Sequence, residues 1–280
     1  MKLYKTPSET ICLDGDAAIG LGEFEWDRLF AAANPLSYLK GCVERGESAT
    51  IPDLAEETTL PPMGGQEVWA AGVTYHRSRD ARMEESKRAS GETFYDRVYR
   101  AERPELFYKG SRRTVVGNRQ PIRVRSDAKW SVPEPELTLA ISSAGEIFGL
   151  TIGNDVSSRD IEGENPLYLP QAKVYDESCA LGPCLFVSPG IDSSTEILLS
   201  IYRGSGTVFE GRTRISEIER TFESLVEYLY RDNTFPVGAL LMTGTGIIPP
   251  EDFGLQAGDV VSIGILPIGT LENRVIGAEA

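Results

Sequence analysis

PEPELTLAI (133–141), SSAGE (142–146) and IFGLTIGND (147–155) follow one another without a break. The two outer segments favour β-structure and Ala144-Gly145 between them is typical of a tight turn, so we expect a β-hairpin. Because alternate residues of a strand point to the same side, Glu134 and Glu136 face one way. The return strand ends at Asp155, which the hairpin can bring beside the first two carboxylates.

Three carboxylates that converge in a largely apolar sheet need a physical reason. Unpaired buried carboxylates are costly, and their mutual repulsion raises the pKa of at least one of them. A divalent cation removes both costs, and ligation by oxygen alone favours Mg²⁺, with Mn²⁺ or Ca²⁺ as alternatives, over Zn²⁺. The competing interpretation places Glu134 and Glu136 on the surface of an edge strand marked by Pro133 and Pro135.

Lys173 lies further along, in the sparsely charged segment LYLPQAKVY (167–175). A lysine near a metal and in a low-dielectric environment has a lowered pKa, so it can act as a base or stabilise an oxyanion. The alternative is an exposed lysine on an edge strand, with no role in chemistry.

Taken together, these motifs resemble the fumarylacetoacetate hydrolase family across roughly residues 66–276. The shared pattern consists of E-x-E, a β-turn, NDVSSRD (154–160), the lysine of QAK, MTGTGIIPP (242–250) and GILPIGTLEN (264–273). In that family the two glutamates and the aspartate hold a divalent metal, usually Mg²⁺. The resemblance therefore implies that Glu134, Glu136 and Asp155 are the metal ligands.

The resemblance also implies roles for three residues on the substrate side of the metal. It makes Lys173 the active-site lysine and directs Lys109, at the end of an apolar strand, toward the substrate. Thr245 lies in MTGTG, where small residues expose a hydroxyl and backbone N–H groups that can hold a carboxylate. For Lys109 the alternative is a plain surface lysine, and for the MTGTG segment it is an ordinary tight turn after a strand.

The segment after the first core strand departs from the pattern of the hydrolytic and decarboxylating family members. Those members carry N-Y-x-x-H-x-x-E, a His–Glu pair that activates water. Here residues 74–81 read TYHRSRDA, so alignment on Tyr75 places Ser78 and Ala81 at the two positions. His76 is two residues early and, on a helix, would face nearly the opposite side, so we interpret it as a surface residue.

The sequence lacks this pair and carries VPEPELTL, LPQAK and GTLEN. In both respects it resembles the 2-keto-3-deoxy sugar-acid dehydratases of the family. The implied reaction converts a substrate such as 2-keto-3-deoxy-D-arabinonate to 2,5-dioxopentanoate. We expect Lys173 to take the C3 proton, and Ser78 and Arg79, at the base of a polar segment that can act as a lid, to contact the terminal hydroxyls. Glu162 and Glu164 are candidates for the acid that assists the leaving hydroxyl.

Two other functions compete with the dehydratase hypothesis. One is hydrolysis of an acylpyruvate or other diketo acid, or decarboxylation of an oxaloacetate-like acid, on the same metal. The other is a non-catalytic protein with a relict site that binds metal and acid. The intact set of Glu134, Glu136, Asp155 and Lys173 argues against such decay.

The strand-rich pattern and the family resemblance predict an α+β, β-dominated fold. We expect a fumarylacetoacetase-type catalytic domain, a mixed β-roll or sandwich, over residues 66–280, with a small N-terminal domain over residues 1–65. The resemblance implies a homodimer or homotetramer. We also expect a lone amphipathic helix over residues 218–230, and a surface helical pair over residues 76–103.

Composition narrows the remaining functions. The net charge of -14 disfavours nucleic acid as a partner, and no run of apolar residues is long enough to span a membrane. The four cysteines form no C-x-x-C pair, so we do not expect a structural zinc site. We expect free thiols in a reducing cytoplasm. Because an acidic surface repels anions, an acid substrate requires a local positive site.

Overall fold

A computed structural model describes residues 1–49, 58–75 and 101–277, and strands dominate these ranges. The strands are β1 (Lys2–Lys5), β2 (Thr10–Asp14), β3 (Ala17–Gly20), β4 (Glu47–Ser48), β5 (Glu67–Gly72), β6 (Glu105–Gly110), β7 (Val115–Val116), β8 (Ile122–Arg123), β9 (Ser131–Val132), β10 (Pro135–Ile141), β11 (Ile147–Asp155), β12 (Ser157–Ser158), β13 (Cys179–Phe186), β14 (Glu196–Arg203), β15 (Gly206–Arg214), β16 (Ala239–Met242), β17 (Val260–Ile265) and β18 (Gly269–Ile276). The described α-helices are α1 (Trp26–Ala31), α2 (Pro35–Arg45), α3 (Arg159–Glu164), α4 (Leu169–Lys173) and α5 (Phe222–Tyr230), and short 3₁₀ turns cover Pro166–Tyr168 and Ile215–Glu217. The predicted β-dominated α+β class is confirmed.

The strands of the described ranges form a large mixed sheet, a smaller sheet and a two-stranded ribbon. The large sheet has the order β4-β3-β2-β1-β13-β11-β10-β16-β5-β6, and β7 is attached to β13. The smaller sheet has the order β15-β14-β17-β18-β8, and β9 pairs with β12. Two sheets that pack face to face bury the inner side of each, as in a sandwich.

The central strand β10 is buried along its whole length because both of its faces meet apolar layers. Leu137 and Leu139 pack into a cluster with Leu199 and Ile263 of the smaller sheet. Ala140 faces the opposite way, into a second cluster formed largely by the N-terminal elements. The edge of the sheet where β10 begins, just after Glu134, is therefore held rigidly from both sides.

The first strands extend the large sheet. Strand β1 pairs antiparallel with β13, with Leu3 opposite Leu185. Leu29 and Phe30 of α1 share the second apolar cluster with Phe148 of β11. The division at residues 65 and 66 stays a prediction, and these contacts are the ones that a separate N-terminal domain would have to break.

Several boundaries differ from those expected. Helix α5 begins at Phe222 rather than at residue 218, because the Thr221 hydroxyl accepts a hydrogen bond from the N–H of Ser224 and caps the helix there. Strand β13 begins at Cys179 and passes through Gly182 at a φ of 155°. Residues 76–100 of the expected helical pair lie outside the described residues.

Candidate active site

The predicted hairpin is present and places the three carboxylates together. Strands β10 and β11 pair in register, with Glu136 opposite Gly153. Just past the last paired residues, Pro135 and Asn154, the N–H of Asp155 donates to the carbonyl oxygen of Glu134 at 2.9 Å. Gly145, at a φ of 80°, forms the turn in a conformation that side-chain-bearing residues rarely adopt. Local sequence therefore sets the register that brings Asp155 beside Glu134.

The three carboxylates are buried, with exposures of 5% for Glu134, 1% for Glu136 and 0% for Asp155. One oxygen of each lies within 4.8 Å of an oxygen of the other two, and no other such group of three metal-binding side chains occurs in the described part of the chain. The interpretation of Glu134 and Glu136 as exposed edge-strand residues is therefore wrong. Their roles as metal ligands stay predictions.

The electrostatics of this cluster suit a hard cation. Burial, and then the charges of Asp155 and Glu134, raise the pKa of Glu136 well above its usual range, while Lys173 and the N–H of Gly244 act in the opposite direction. A set of carboxylate oxygens without His or Cys is the donor set that Mg²⁺ prefers. The residues present therefore fit Mg²⁺.

Lys173 is the last residue of the short helix α4, and its side chain is 1% exposed. Its ammonium nitrogen, Nζ, lies 2.6 Å from Oε2 of Glu134, 3.0 Å from Oδ2 of Asp155 and 2.6 Å from Oγ of Ser157. The helix ends here because Val174 adopts an extended conformation, with its N–H donating to the carbonyl oxygen of Pro170. The interpretation of Lys173 as an exposed edge-strand lysine is therefore wrong.

Arg159 belongs to the site, although the sequence analysis assigned it no role. Its Nη2 lies 2.6 Å from Oε1 of Glu134, and its Nη1 lies 3.4 Å from Oε2 of Glu162. The available signal was its place in NDVSSRD, four residues after Asp155. Glu162, one of the two candidate acids, is buried against Arg159, and the other, Glu164, is exposed.

The loop after β16 closes the site from the other side. The N–H of Gly244 donates to Oε2 of Glu136 at 2.5 Å. Thr245 is buried, and its hydroxyl accepts a hydrogen bond from the N–H of Ile247 at 3.2 Å. Gly244 has a φ of 90°, so its backbone can approach the carboxylate in a way that a larger residue would disturb.

These groups line a small enclosed cavity of about 20 Å³, room for roughly one water-sized group. Its lining consists of Ala71, Gly72, Val73, Phe107, Glu134, Glu136, Asp155, Arg159, Lys173, Gly244 and Thr245. The predicted residues Glu134, Glu136, Asp155, Lys173 and Thr245 are thus brought together. Lys109 lies behind Asp155 and outside this lining, while His76, Ser78, Arg79 and Ala81 lie outside the described residues.

A sequence model of the family described as "Fumarylacetoacetate (FAA) hydrolase C-terminal" matches residues 68–276. The chain is 48% identical over 236 residues to a probable 2-keto-3-deoxyxylonate dehydratase of Haloferax volcanii, covering 83% of this chain and 80% of that protein. It is 45% identical over 217 residues to a 2-dehydro-3-deoxy-D-arabinonate dehydratase of Saccharolobus solfataricus, covering 76% of this chain and 73% of that protein.

The fold is similar to a solved structure of 2-keto-3-deoxy-D-arabinonate dehydratase complexed with magnesium and 2,5-dioxopentanoate. The TM-score is 0.87 at 36% sequence identity, and the comparison covers 100% of both chains. A 5-carboxymethyl-2-hydroxymuconate delta-isomerase from Mycobacterium smegmatis is less similar, with a TM-score of 0.68 at 26% identity. The likeness therefore extends to the whole described fold.

Proposed function

The chain belongs to the fumarylacetoacetate hydrolase family, and we propose that it is a Mg²⁺-dependent dehydratase. Its substrate is a 2-keto-3-deoxy sugar acid such as 2-keto-3-deoxy-D-arabinonate, which loses water to give 2,5-dioxopentanoate. The observation that carries this proposal is the buried group of three carboxylates with the Lys173 ammonium in direct contact. The dehydratases to which the chain is similar support the choice of substrate class.

Glu134, Glu136 and Asp155 would hold Mg²⁺ in this site. When bound, the ion supplies Lewis-acid chemistry, polarising the 2-keto group so that the C3 proton of the substrate becomes acidic. Such an ion would offset the cost of the ionised carboxylates, since burial, and then the charges of Asp155 and Glu134, raise the pKa of Glu136.

Lys173 is the proposed base. Its Nζ lies at the carboxylate cluster and Lys173 lines the cavity, so a substrate whose keto end reaches this lining can present its C3 hydrogen to this nitrogen. Removal of the C3 proton is followed by departure of the C4 hydroxyl, which gains a proton and leaves as water, while the electrons of the C3–H bond form the C3=C4 bond. The allylic alcohol then tautomerises in two proton shifts. A C5 hydrogen moves to C3 to give the C4=C5 enol, and the C5 hydroxyl proton then moves to C4, which leaves the second carbonyl at C5.

Two further parts of the site bind the substrate. Thr245 and the backbone beside it line the cavity and are proposed to hold the substrate carboxylate. Ser78 and Arg79 are proposed to contact the terminal hydroxyls. Elimination needs no attacking water, which is consistent with Ser78 and Ala81 standing where the family's hydrolases carry their His–Glu pair.

The direct test is a panel of 2-keto-3-deoxy pentonates and hexonates and acylpyruvates, each incubated with purified protein and Mg²⁺. We expect one or more keto-deoxy acids to lose one water, measured by mass spectrometry, and the loss to stop on chelation of the metal. Lys173→Met is the matched variant and should abolish turnover while it retains most of the metal affinity. Cleavage of an acylpyruvate without dehydration of any sugar acid would contradict the proposal.

We further propose that the protein acts in the cytoplasm as a homodimer or homotetramer. The four cysteines are all free, as in a reducing compartment, and three of them are buried. Leu198 and Tyr202 are exposed on one face of β14, which offers apolar surface for association. Among the described residues, no helix combines the length and apolarity that crossing a bilayer requires. Light scattering behind a sizing column would give the oligomeric state.

A further inference from the structure

Lys109 is completely buried, and its contacts all lie within the catalytic cluster. Its Nζ is 2.6 Å from Oδ1 of Asp155, 2.5 Å from the carbonyl oxygen of Lys173 and 3.1 Å from the carbonyl oxygen of Val156. These three contacts join strand β6 to the end of β11 and to the end of helix α4. The two carbonyl contacts are hydrogen bonds, and the contact with Oδ1 of Asp155 is a close ion pair.

The position of Lys109 on β6 keeps it away from substrate. Phe107, two residues earlier on the strand, lines the cavity and lies near the Lys173 ammonium, with Nζ 5.5 Å from its ring centroid. Lys109 is absent from the cavity lining and is 0% exposed. The contact with substrate that the family resemblance implied is therefore not the role that this geometry favours.

The two oxygens of Asp155 meet different lysines. Oδ1 faces Lys109, which is sealed in the protein, whereas Oδ2 faces Lys173, which borders the cavity. A carboxylate whose first oxygen is held by a buried ammonium offers its second oxygen to a cation without breaking that ion pair. The same ammonium fixes the carbonyl of Lys173, and therefore the backbone from which the proposed base extends.

We propose that Lys109 is a positioning residue that makes Asp155 a ligand through Oδ2 alone and fixes the backbone of Lys173 relative to that ligand. The inference deepens the proposed function and rests on it for the role of Lys173. The part that concerns Asp155 is a statement about metal affinity and can be measured without any substrate.

The test is Lys109→Met in the full-length protein, with Lys40→Met, an exposed lysine of helix α2, as the matched loss of one positive charge. Mn²⁺ affinity, followed by the EPR signal of the free ion, is expected to weaken about tenfold or more in Lys109→Met and to stay unchanged in Lys40→Met. With metal saturating, kcat should fall about tenfold or more while KM stays within about threefold of wild type. A raised KM with unchanged kcat would instead assign Lys109 to substrate binding and overturn the proposal, as would wild-type Mn²⁺ affinity.

Lys109→Arg decides the question if Lys109→Met does not fold. It keeps a positive charge beside Asp155, but its longer planar head cannot reproduce all three contacts. We expect Mn²⁺ affinity within about threefold of wild type and kcat reduced about fivefold or more. A wild-type kcat in this variant overturns the positioning of Lys173. If wild-type protein dehydrates none of the sugar acids, the proposed function fails. The Mn²⁺ comparison still tests whether Lys109 holds Asp155 as a metal ligand.

Discussion

The ammonium of Lys173 contacts Glu134, Asp155 and Ser157, and metal binding affects these side chains differently. Glu134 and Asp155 are predicted ligands, so a bound cation competes for their charge, whereas Ser157 is not a predicted ligand. The Ser157 hydroxyl donates to the carbonyl oxygen of Asp155 at 3.0 Å, which leaves its lone pairs for the Lys173 ammonium. Ser157 is therefore the contact best able to hold the base in place once metal is bound.

Ser157→Ala is expected to lower kcat about tenfold while Mg²⁺ affinity and KM stay near wild type, because only the orientation of Lys173 is lost. Steady-state kinetics with metal saturating measure the effect. Ser205→Ala, an exposed serine in the β14–β15 turn, is the control and should behave as wild type. Unchanged kcat in Ser157→Ala would show that the carboxylates alone orient the base.

Burial makes three of the four cysteine thiols unreactive near neutral pH. Burial raises the pKa of Cys12 to about 11, and those of Cys179 and Cys184 to about 12. A raised pKa keeps the thiol protonated until the pH approaches that value, so these three stay unreactive well above neutrality. In native protein at about pH 8, a disulfide reagent should therefore label only the half-buried Cys42.

Labelling in denaturant is the control and should reach all four thiols. Raising the pH of the native protein from about 8 to about 9 should not add a second fast thiol. Rapid native labelling of two or more cysteines would contradict the buried environment assigned to the other three.

At the scale of elements, the hairpin could be predicted from sequence because its signals are local. Residues 134–145 contain both signals, the alternation that places Glu134 and Glu136 on one side and the Ala144-Gly145 turn. The helix that carries Lys173 could not be predicted in this way, because α4 has only 5 residues and Lys173 is held by contacts with Lys109 and Ser157 on distant strands. Short helices of this kind are fixed by tertiary contacts rather than by propensity.

The loop after β16 depends on a glycine whose role is visible only in three dimensions. Gly244 donates its N–H to Glu136, has a φ of 90°, and a Cβ added there would lie 2.0 Å from Oγ1 of Thr74. Thr74 is itself tied to the loop, since its hydroxyl donates to the carbonyl oxygen of Thr243 at 2.7 Å. A side chain at Gly244 must therefore move the loop away from the carboxylate.

Gly244→Ala is expected to weaken Mg²⁺ affinity about tenfold and to lower the melting temperature, because the unfavourable φ costs about 1–2 kcal/mol before the clash is counted. Isothermal titration and thermal unfolding measure the two effects. Gly190→Ala, at a position where an added Cβ meets nothing within 4 Å, is the control. Wild-type metal affinity in Gly244→Ala would show that this N–H does not support Glu136.

Across the whole molecule, the charge of -14 opposes an anionic substrate, and the site resolves this conflict locally. Four buried carboxylates, Glu134, Glu136, Asp155 and Glu162, lie with three buried cations, Lys109, Arg159 and Lys173. With all of them ionised, a bound divalent cation would make this cluster net positive, and burial limits its screening by salt. The net charge predicts such a local positive site, but the places of Arg159 and Lys109 in it could not be predicted, because each contacts a carboxylate on a distant segment of the chain.

The same long-range contacts bear on the predicted division into residues 1–65 and 66–280. The N-terminal segment pairs with the end of β13 through β1 and buries Leu29 and Phe30 against Phe148. Removing it would expose the backbone groups of β13 at Leu185 and Phe186 together with an apolar surface, and both promote aggregation. We therefore expect a fragment of residues 66–280, expressed alone, to be aggregated or unstable.

Co-expression of residues 1–65 as a separate chain is the complementary arm, and it should restore soluble protein because the missing strand and helices can pair with the fragment. Sizing chromatography and thermal unfolding, each with and without the second chain, measure the outcome. A monodisperse fragment that melts cooperatively near the wild-type temperature and binds Mn²⁺ normally would show that the N-terminal unit is an independent domain. Failure of the fragment alone would mean that β13 depends on the N-terminal segment. Because β13 pairs with β11, which ends at Asp155, the position of this carboxylate would depend on that segment too. The segment supplies no side chain to the cavity lining.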